Sequence, residues 1–378
     1  MARAPASAEI EELPEADRLE GYPHPRETKR LFGHGEAERT LAQALAEGRM
    51  HHGWLLCGRQ GIGKATLAYR FARAALAPAH ERATEGQCLA VGEETSASRQ
   101  VRALSHPGLL VLRRPYDEKA KRFSASIPID EVRRLRSFLS HRAAEEAWRV
   151  VIVDEANELN VNAANALLKS LEEPPARTVF LLVSSAPGRL LPTIRSRCRT
   201  LALQPLSSDN LRAAATQAIE AAGGAVPGPA DWPALERLAE GSVGQLLSLL
   251  DSGGLELNER VAKLISSLPR IDWRAVHALS DELQPIAAQA RFDLFFELLL
   301  NFLGRLIRAQ AGCEGAPEER ETAARLIGEA RLASFAAVWE RIGREKGETL
   351  ALNLDRKALI LETVGDLATA AAQDRKPA

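Results

Sequence analysis

Trp54-Leu-Leu-Cys-Gly58-Arg-Gln-Gly61-Ile-Gly63-Lys64-Ala65-Thr66 decides the fold. The first four residues are an apolar run of strand length. The next seven match G-x-x-x-x-G-K, and residues 65–76 carry a helical pattern. Glycines let a turn curl its N–H groups around phosphate oxygens, and a helix starting there points its positive end at them. Gly58, Gly61, Gly63 and Lys64 are therefore the candidate phosphate contacts, with Lys64 reaching toward β- and γ-phosphates. The final motif position departs from the pattern. A working loop has Ser or Thr there, whose hydroxyl binds Mg²⁺; here it is Ala65. Thr66 lies one residue on, about 100° around the helix, and points elsewhere. A phosphate cradle is present and a metal ligand is missing. Binding of ATP or ADP stays open, and Mg²⁺ would enter only with the nucleotide.

Short apolar runs recur on both sides of this loop, at 109–112, 150–153, 179–183 and 201–203, with helical patterns at 36–47, 130–141 and 163–172. Runs this short, apolar on both faces and separated by helices, predict a five-stranded, buried parallel sheet in an α/β domain. Asp130 is the expected cap of its helix. Val150-Val-Ile-Val-Asp154-Glu155 ends an apolar strand in two acids. Asp154 would orient Mg²⁺ at the strand's C-terminal end, and Glu155 would polarise an attacking water. Local capping or pairing by both acids is the plainer reading. Residues 163–175 form an amphipathic helix with Leu167, Leu168 and Leu171 on one side and Lys169 off that face, stopped by Pro174-Pro175. Arg195, Arg197 and Arg199 cluster before the last run. They read as a solvated basic turn or, for Arg197, as a group reaching a phosphate on another subunit.

These elements in this order resemble the clamp-loader branch of the AAA+ ATPases, the gamma/tau and delta prime subunits of bacterial DNA polymerase III. Asp154 to Pro175 and Ile194 to Cys198 carry the resemblance, and Leu31-Phe-Gly33-His34 adds to it; the match covers residues 26–205. The resemblance implies an AAA+ P-loop domain, a small helical lid and an all-α collar. It also implies partnership with gamma/tau motor subunits and a delta subunit, and contact with the sliding clamp and primer-template DNA through the complex. The motor subunits carry the loop Thr, four zinc-binding cysteines and a GSxR lid motif. This chain has Ala65, only Cys88 between loop and acid pair, and Gly241-Ser242-Val243-Gly244 in the lid. The departures favour the non-motor, delta prime-like branch, a stator with little or no ATPase of its own within the polymerase holoenzyme. Arg197 would be its arginine finger, acting in trans, and Glu155 would be vestigial. A catalytically active gamma/tau-like ATPase is the alternative. An unrelated P-loop enzyme such as a small-molecule kinase is disfavoured by residues 154–175.

The 378 residues suggest two or three domains. The expected division is a flexible segment 1–25, the α/β domain 26–205, a lid 206–254 and a helical domain 255–378. Lys plus Arg is 49 and Asp plus Glu is 50, a net charge of −1 that excludes a surface covered in basic charge but not one local patch. Direct DNA binding should be weak, with Lys169 and Arg133–Arg136 as candidates and a solvated face as the plainer reading. Four cysteines without a C-x-x-C pair disfavour a disulfide framework or a zinc site. Reduced thiols and the absence of an export signal point to a cytoplasmic, replisome-associated protein. The most apolar stretch, 292–307, contains Asp293, Glu297, Asn301 and Arg305, and reads as a bundle helix rather than a membrane span.

Overall fold

The computed structural model describes residues 14–82, 89–140, 147–313, 316–352 and 354–372; Cys88 and His141 lie outside them. The chain divides into two compact units, residues 1–247 and 248–378.

The first unit is built on strands β1 (Gly53–Cys57), β2 (Leu109–Leu112), β5 (Arg149–Val153), β6 (Thr178–Ser184) and β7 (Arg199–Ala202). They form one parallel sheet in the order β2-β5-β6-β1-β7. A small antiparallel hairpin, β3 (Tyr116–Asp117) and β4 (Arg122–Phe123), lies outside it. Its helices are α1 (Gly35–Ala46), α2 (Lys64–Leu76), α3 (Ser96–Arg102), α4 (Ile129–Ser140), α5 (Val161–Glu172), α6 (Pro192–Arg195), α7 (Ser208–Ala221), α8 (Trp232–Ala239) and α9 (Val243–Asp251). The last of these crosses the boundary between the units.

The pleat sorts alternate strand residues onto two cores. Trp54, Leu56, Val150, Ile152, Val179, Leu181 and Val183 face α1, α2 and α3. Leu55, Cys57, Val151, Val153, Phe180 and Leu182 face α4, α5 and α6. Every residue of β1 and β6 is buried, including the polar Thr178 and Ser184 that begin and end the apolar run of β6. The last strand differs from expectation. It runs over Arg199–Ala202 rather than 201–203 and is largely exposed, because it pairs only with β1 at the sheet edge. Asp130 is also not a cap: it lies in the first turn of α4 and pairs with Arg133 at 2.6 Å.

Residues 14–25 are not free, although their composition reads as flexible. His24 is fully buried and the Asp17 side chain nearly so. The His24 Nδ1 accepts the Arg26 N–H at 3.1 Å, so Nε2 carries the ring proton and donates to Asp17 at 3.0 Å. Asp17 also accepts the Tyr69 hydroxyl at 3.0 Å and pairs with Arg113 at 2.5 Å, while Glu15 pairs with Arg113 and with Arg26. Burial alone would raise the Asp17 pKa; the His24 hydrogen bond, Arg113 and Tyr69 outweigh it and hold the carboxyl well below its usual range.

The second unit is all helical: α10 (Gly254–Ser267), α11 (Trp273–Leu283), α12 (Gln289–Gln310), α13 (Pro317–Leu326), α14 (Leu332–Leu352) and α15 (Arg356–Ala372). The 22-residue α12 is its centre, burying Phe292, Phe295, Phe296, Leu299, Leu303 and Leu306 against α10, α13 and α14. Among the described residues no helix is long and apolar enough to cross a membrane.

Arg113→Ala leaves two carboxylates without their shared cation, so urea unfolding should show a loss of about 3 kcal/mol with an unchanged slope. The Asp17 pKa is lower folded than unfolded, where it is about 3.9. Its contribution is therefore present above that pH and lost as pH falls toward the folded value. The stability gap between the wild type and Asp17→Asn should narrow below about pH 4.

Candidate functional site

The phosphate loop leaves the C-terminal end of β1 and enters α2 at Lys64, with Gly58, Gly61 and Gly63 all at positive φ. On one side His34, the residue preceding α1, donates from Nε2 to the Ile62 carbonyl at 2.6 Å. Burial holds the His34 pKa down, keeping the ring neutral. On the other side lie the segment between α8 and α9 and the first turn of α9. Ser242 Oγ donates to the Gln60 carbonyl at 2.8 Å, Gly244 N–H donates to the Gly61 carbonyl at 3.1 Å, and Arg59 pairs with Glu240. A Cβ on Gly61 would stand 2.5 Å from Ser242 Oγ and 2.9 Å from the Gly244 Cα. A Cβ on Gly244 would stand 3.0 Å from the Gly61 Cα. The two backbones touch, which explains glycine at both positions.

Lys64 is buried and folded back on its own loop. Its ammonium donates to the Gly58 carbonyl at 2.9 Å and the Arg59 carbonyl at 2.7 Å, with Glu155 at 3.6 Å. Burial lowers its pKa, and the Glu155 and Asp154 carboxylates offset part of that shift. Ala65 and Thr66 follow in the first turn of α2, both half-buried. They are about 100° apart, so the Thr66 hydroxyl does not replace the one lacking at 65.

Asp154 follows β5, and its N–H donates to the Leu112 carbonyl at 2.9 Å. Burial, with the Asp17 and Glu155 charges nearby, pushes its pKa well above the usual range; Lys64 offsets only part. Glu155 adopts φ 42°, ψ 60°, a left-handed conformation rare for a residue with a side chain. That backbone turns its carboxylate toward Ser185, whose N–H and hydroxyl both donate to Oε2 at 3.1 and 2.6 Å. Both Glu155 oxygens thus have partners: Ser185 on one, Lys64 on the other. Ser185 was not among the residues singled out from sequence. Its signal is the polar pair Ser184-Ser185 ending the apolar run of β6, beside the strand that carries the acids.

The structure brings Gly58, Gly61, Gly63, Lys64, Asp154 and Glu155 together, and keeps Arg197 away from them. Arg197 lies just before β7, and a Cβ on Gly53, the first residue of β1, would stand 3.1 Å from the Arg197 carbonyl. The phosphate loop is at the other end of that strand, about 16 Å away for five residues. The guanidinium is partly exposed and donates to Glu172 at 2.8 Å and to the Thr193 carbonyl at 3.0 Å. Arg195 and Lys169 are exposed, and the Arg199 guanidinium stacks 5.0 Å from the Trp54 ring. Arg133 and Arg134 are each tied to an acid one turn back, Asp130 and Glu131. Cys57, Cys198 and Cys313 are free thiols, and no group of three His, Cys, Asp or Glu side chains among the described residues is placed to hold a metal ion.

Comparison with known proteins gives the family. A family profile described as DNA polymerase III, delta subunit, matches residues 33–207. The delta′ subunit of DNA polymerase III from Pseudomonas aeruginosa is 35% identical over 255 residues, 67% of this chain and 71% of that protein. The Escherichia coli delta′ subunit is 31% identical over 267 residues, 70% of this chain and 73% of that protein. The gamma/tau subunit of Mycobacterium bovis is 28% identical over 91% of this chain, a match that spans 62% of that longer protein. With its parallel P-loop sheet, its paired acids and these relatives, the chain belongs to the delta′ and gamma/tau family of DNA polymerase III clamp-loader subunits.

Proposed function

We propose that this chain is a non-motor, delta′-type subunit of the clamp loader, which supports ATP-driven loading of the sliding clamp onto primed DNA and presents Arg197 to ATP held by a neighbouring gamma/tau subunit. The observation that carries the reading is the state of the phosphate loop. The Lys64 ammonium, which would meet phosphate, is engaged by the Gly58 and Arg59 carbonyls, and the loop's Gln60, Gly61 and Ile62 carbonyls are held by Ser242, Gly244 and His34. Ala65 supplies no hydroxyl to Mg²⁺, and Glu155 is held by Ser185 and Lys64 rather than turned to a water. Its role is vestigial on this reading, and ATP or ADP at the loop would be weak.

Arg197 fits action in trans because it stands at the opposite end of the sheet from its own loop. Its present partner, Glu172, is exposed, and a surface pair of this kind stabilises by about 0–1 kcal/mol. An arginine finger contributes about 10³–10⁵ in rate, or roughly 4–7 kcal/mol in the transition state. Giving up Glu172 for the charge that develops on a γ-phosphate in the transition state therefore costs little against what it supplies. Residues 26–205 would serve as the AAA+ domain, 206–254 as the lid and 255–378 as the collar that joins delta and gamma/tau in the replisome of the cytoplasm.

A motor-type, gamma/tau-like ATPase is the second reading. Lys64, Asp154 and Glu155 at one site favour it, as does the long gamma/tau match. Phosphate release separates the two. The purified chain should release phosphate from ATP no faster than its Lys64→Ala variant; brisk Mg²⁺-dependent turnover abolished by Lys64→Ala establishes the motor reading instead. In the assembled complex, Arg197→Ala should cut turnover at the facing site by about 10³–10⁵-fold and slow clamp loading. The variant's own stability should move by no more than about 0.5 kcal/mol. Unchanged complex ATPase and clamp loading would remove Arg197 from the mechanism.

A further inference from the structure

We propose that the β3–β4 hairpin is a contact for the sugar–phosphate backbone of nucleic acid. Residues 113–123, Arg-Arg-Pro-Tyr-Asp-Glu-Lys-Ala-Lys-Arg-Phe, hold five cations and two acids. They divide by task. Arg113 is taken by Glu15 and Asp17, and Arg114 by Glu158 at 2.7 Å. Lys119, Lys121 and Arg122 are exposed at the tip and make no ion pair among the described residues. Both acids are exposed as well: Asp117 Oδ1 accepts the Lys119 and Ala120 N–H groups at 2.9 and 3.0 Å, which shapes the turn, and with Glu118 it leaves the tip with three cations against two acids.

Strands of two residues do not hold themselves, so the tip owes its order to its base. The Tyr116 and Phe123 rings meet edge to face at 5.2 Å, and Arg114 lies 5.8 Å over Phe123. Ser124 N–H donates to the Pro115 carbonyl at 2.9 Å. Below it the buried Ile127 donates to Glu158 at 2.8 Å and accepts from Asn160 at 3.2 Å. These bonds fasten the hairpin to the segment between the Asp154-Glu155 pair and α5. Three cations are thus presented on a braced turn at the C-terminal end of β2, and none of them is needed to hold the fold.

The chemistry favours phosphate over a protein surface. Protein interfaces rest on desolvated apolar or aromatic anchors and are depleted in lysine. Here the two aromatic rings face each other, and the outward groups are two lysines and an arginine. Phosphate contacts need only such cations, held in position. The clamp-loader reading supplies the nucleic acid, a primer-template, and the proposal rests on it for that ligand.

The test is fluorescence anisotropy of a labelled primer-template with the assembled complex, across 50–200 mM salt. The triple variant Lys119→Ala, Lys121→Ala, Arg122→Ala should bind more weakly, with the slope of log K against log salt shallower by about 2–3, since each phosphate contact contributes about 0.7–0.9. Charge-retaining Lys119→Arg, Lys121→Arg, Arg122→Lys should keep the wild-type slope. ATPase without DNA should not change in either variant. An unchanged slope in the alanine variant overturns the proposal. So does loss of sliding-clamp binding with the DNA slope intact, which would make the partner a protein. Failure of the wild-type chain to assemble with gamma/tau defeats the clamp-loader reading instead; the slope measured on the isolated chain then decides for the hairpin.

Discussion

A backbone hydrogen bond from Gly244 to the Gly61 carbonyl, with no room for a side chain between the two residues, seats the lid segment on the phosphate loop. The resemblance to a GSxR lid motif would put an arginine where Gly244 stands, and here that position is the point of contact with the loop. Opening the loop would break the Gly244–Gly61 and Ser242–Gln60 bonds, at about 1 kcal/mol each, and the exposed Arg59–Glu240 pair, at about 0–1 kcal/mol.

The parallel sheet sets the second constraint. All five strands point the same way, so the turns at their C-terminal ends gather the phosphate loop, the acid pair and Ser185, while Arg197 is left at the N-terminal end. A chain about 16 Å thick along β1 cannot bring its own Arg197 to its own loop without unfolding. Any phosphate Arg197 meets therefore belongs to another molecule. The half-exposed pairing with Glu172 fits such a group: held in a defined direction, yet weakly enough to be drawn away.

Much of this was legible in the sequence where one segment carries both the signal and its cause. Trp54–Cys57 and Val150–Val153 are apolar on both faces because helices cover both faces, and Gly58–Lys64 needs only its own backbone to make a cradle. Reading failed where the cause lies far along the chain. Residues 14–25 look like a free acidic tail until Tyr69 and Arg113, 52 and 96 residues from Asp17, are brought to it. Gly244 reads only as a departure from GSxR, because its contact with Gly61 is remote in sequence. The β3–β4 hairpin is invisible to periodicity, since two-residue strands have no period and its order comes from Glu158 and Asn160.

Asp17 also bears on the metal. Magnesium in a P-loop needs a hydroxyl from the loop and a carboxylate from the strand, and this chain weakens both. Ala65 removes the first outright. The second is present as Asp154, but burial, with the Asp17 and Glu155 charges beside it, raises its pKa and so disfavours the ionised form a cation would need. Asp17 is fixed there by Arg113 and His24, so the network that ties residues 14–25 to the body also disfavours the ionised form of Asp154. Restoring a hydroxyl at position 65 would leave this second obstacle in place. On the non-motor reading proposed above, the departures are distributed over Ala65, Gly244 and Asp17 rather than resting on the loop's last residue.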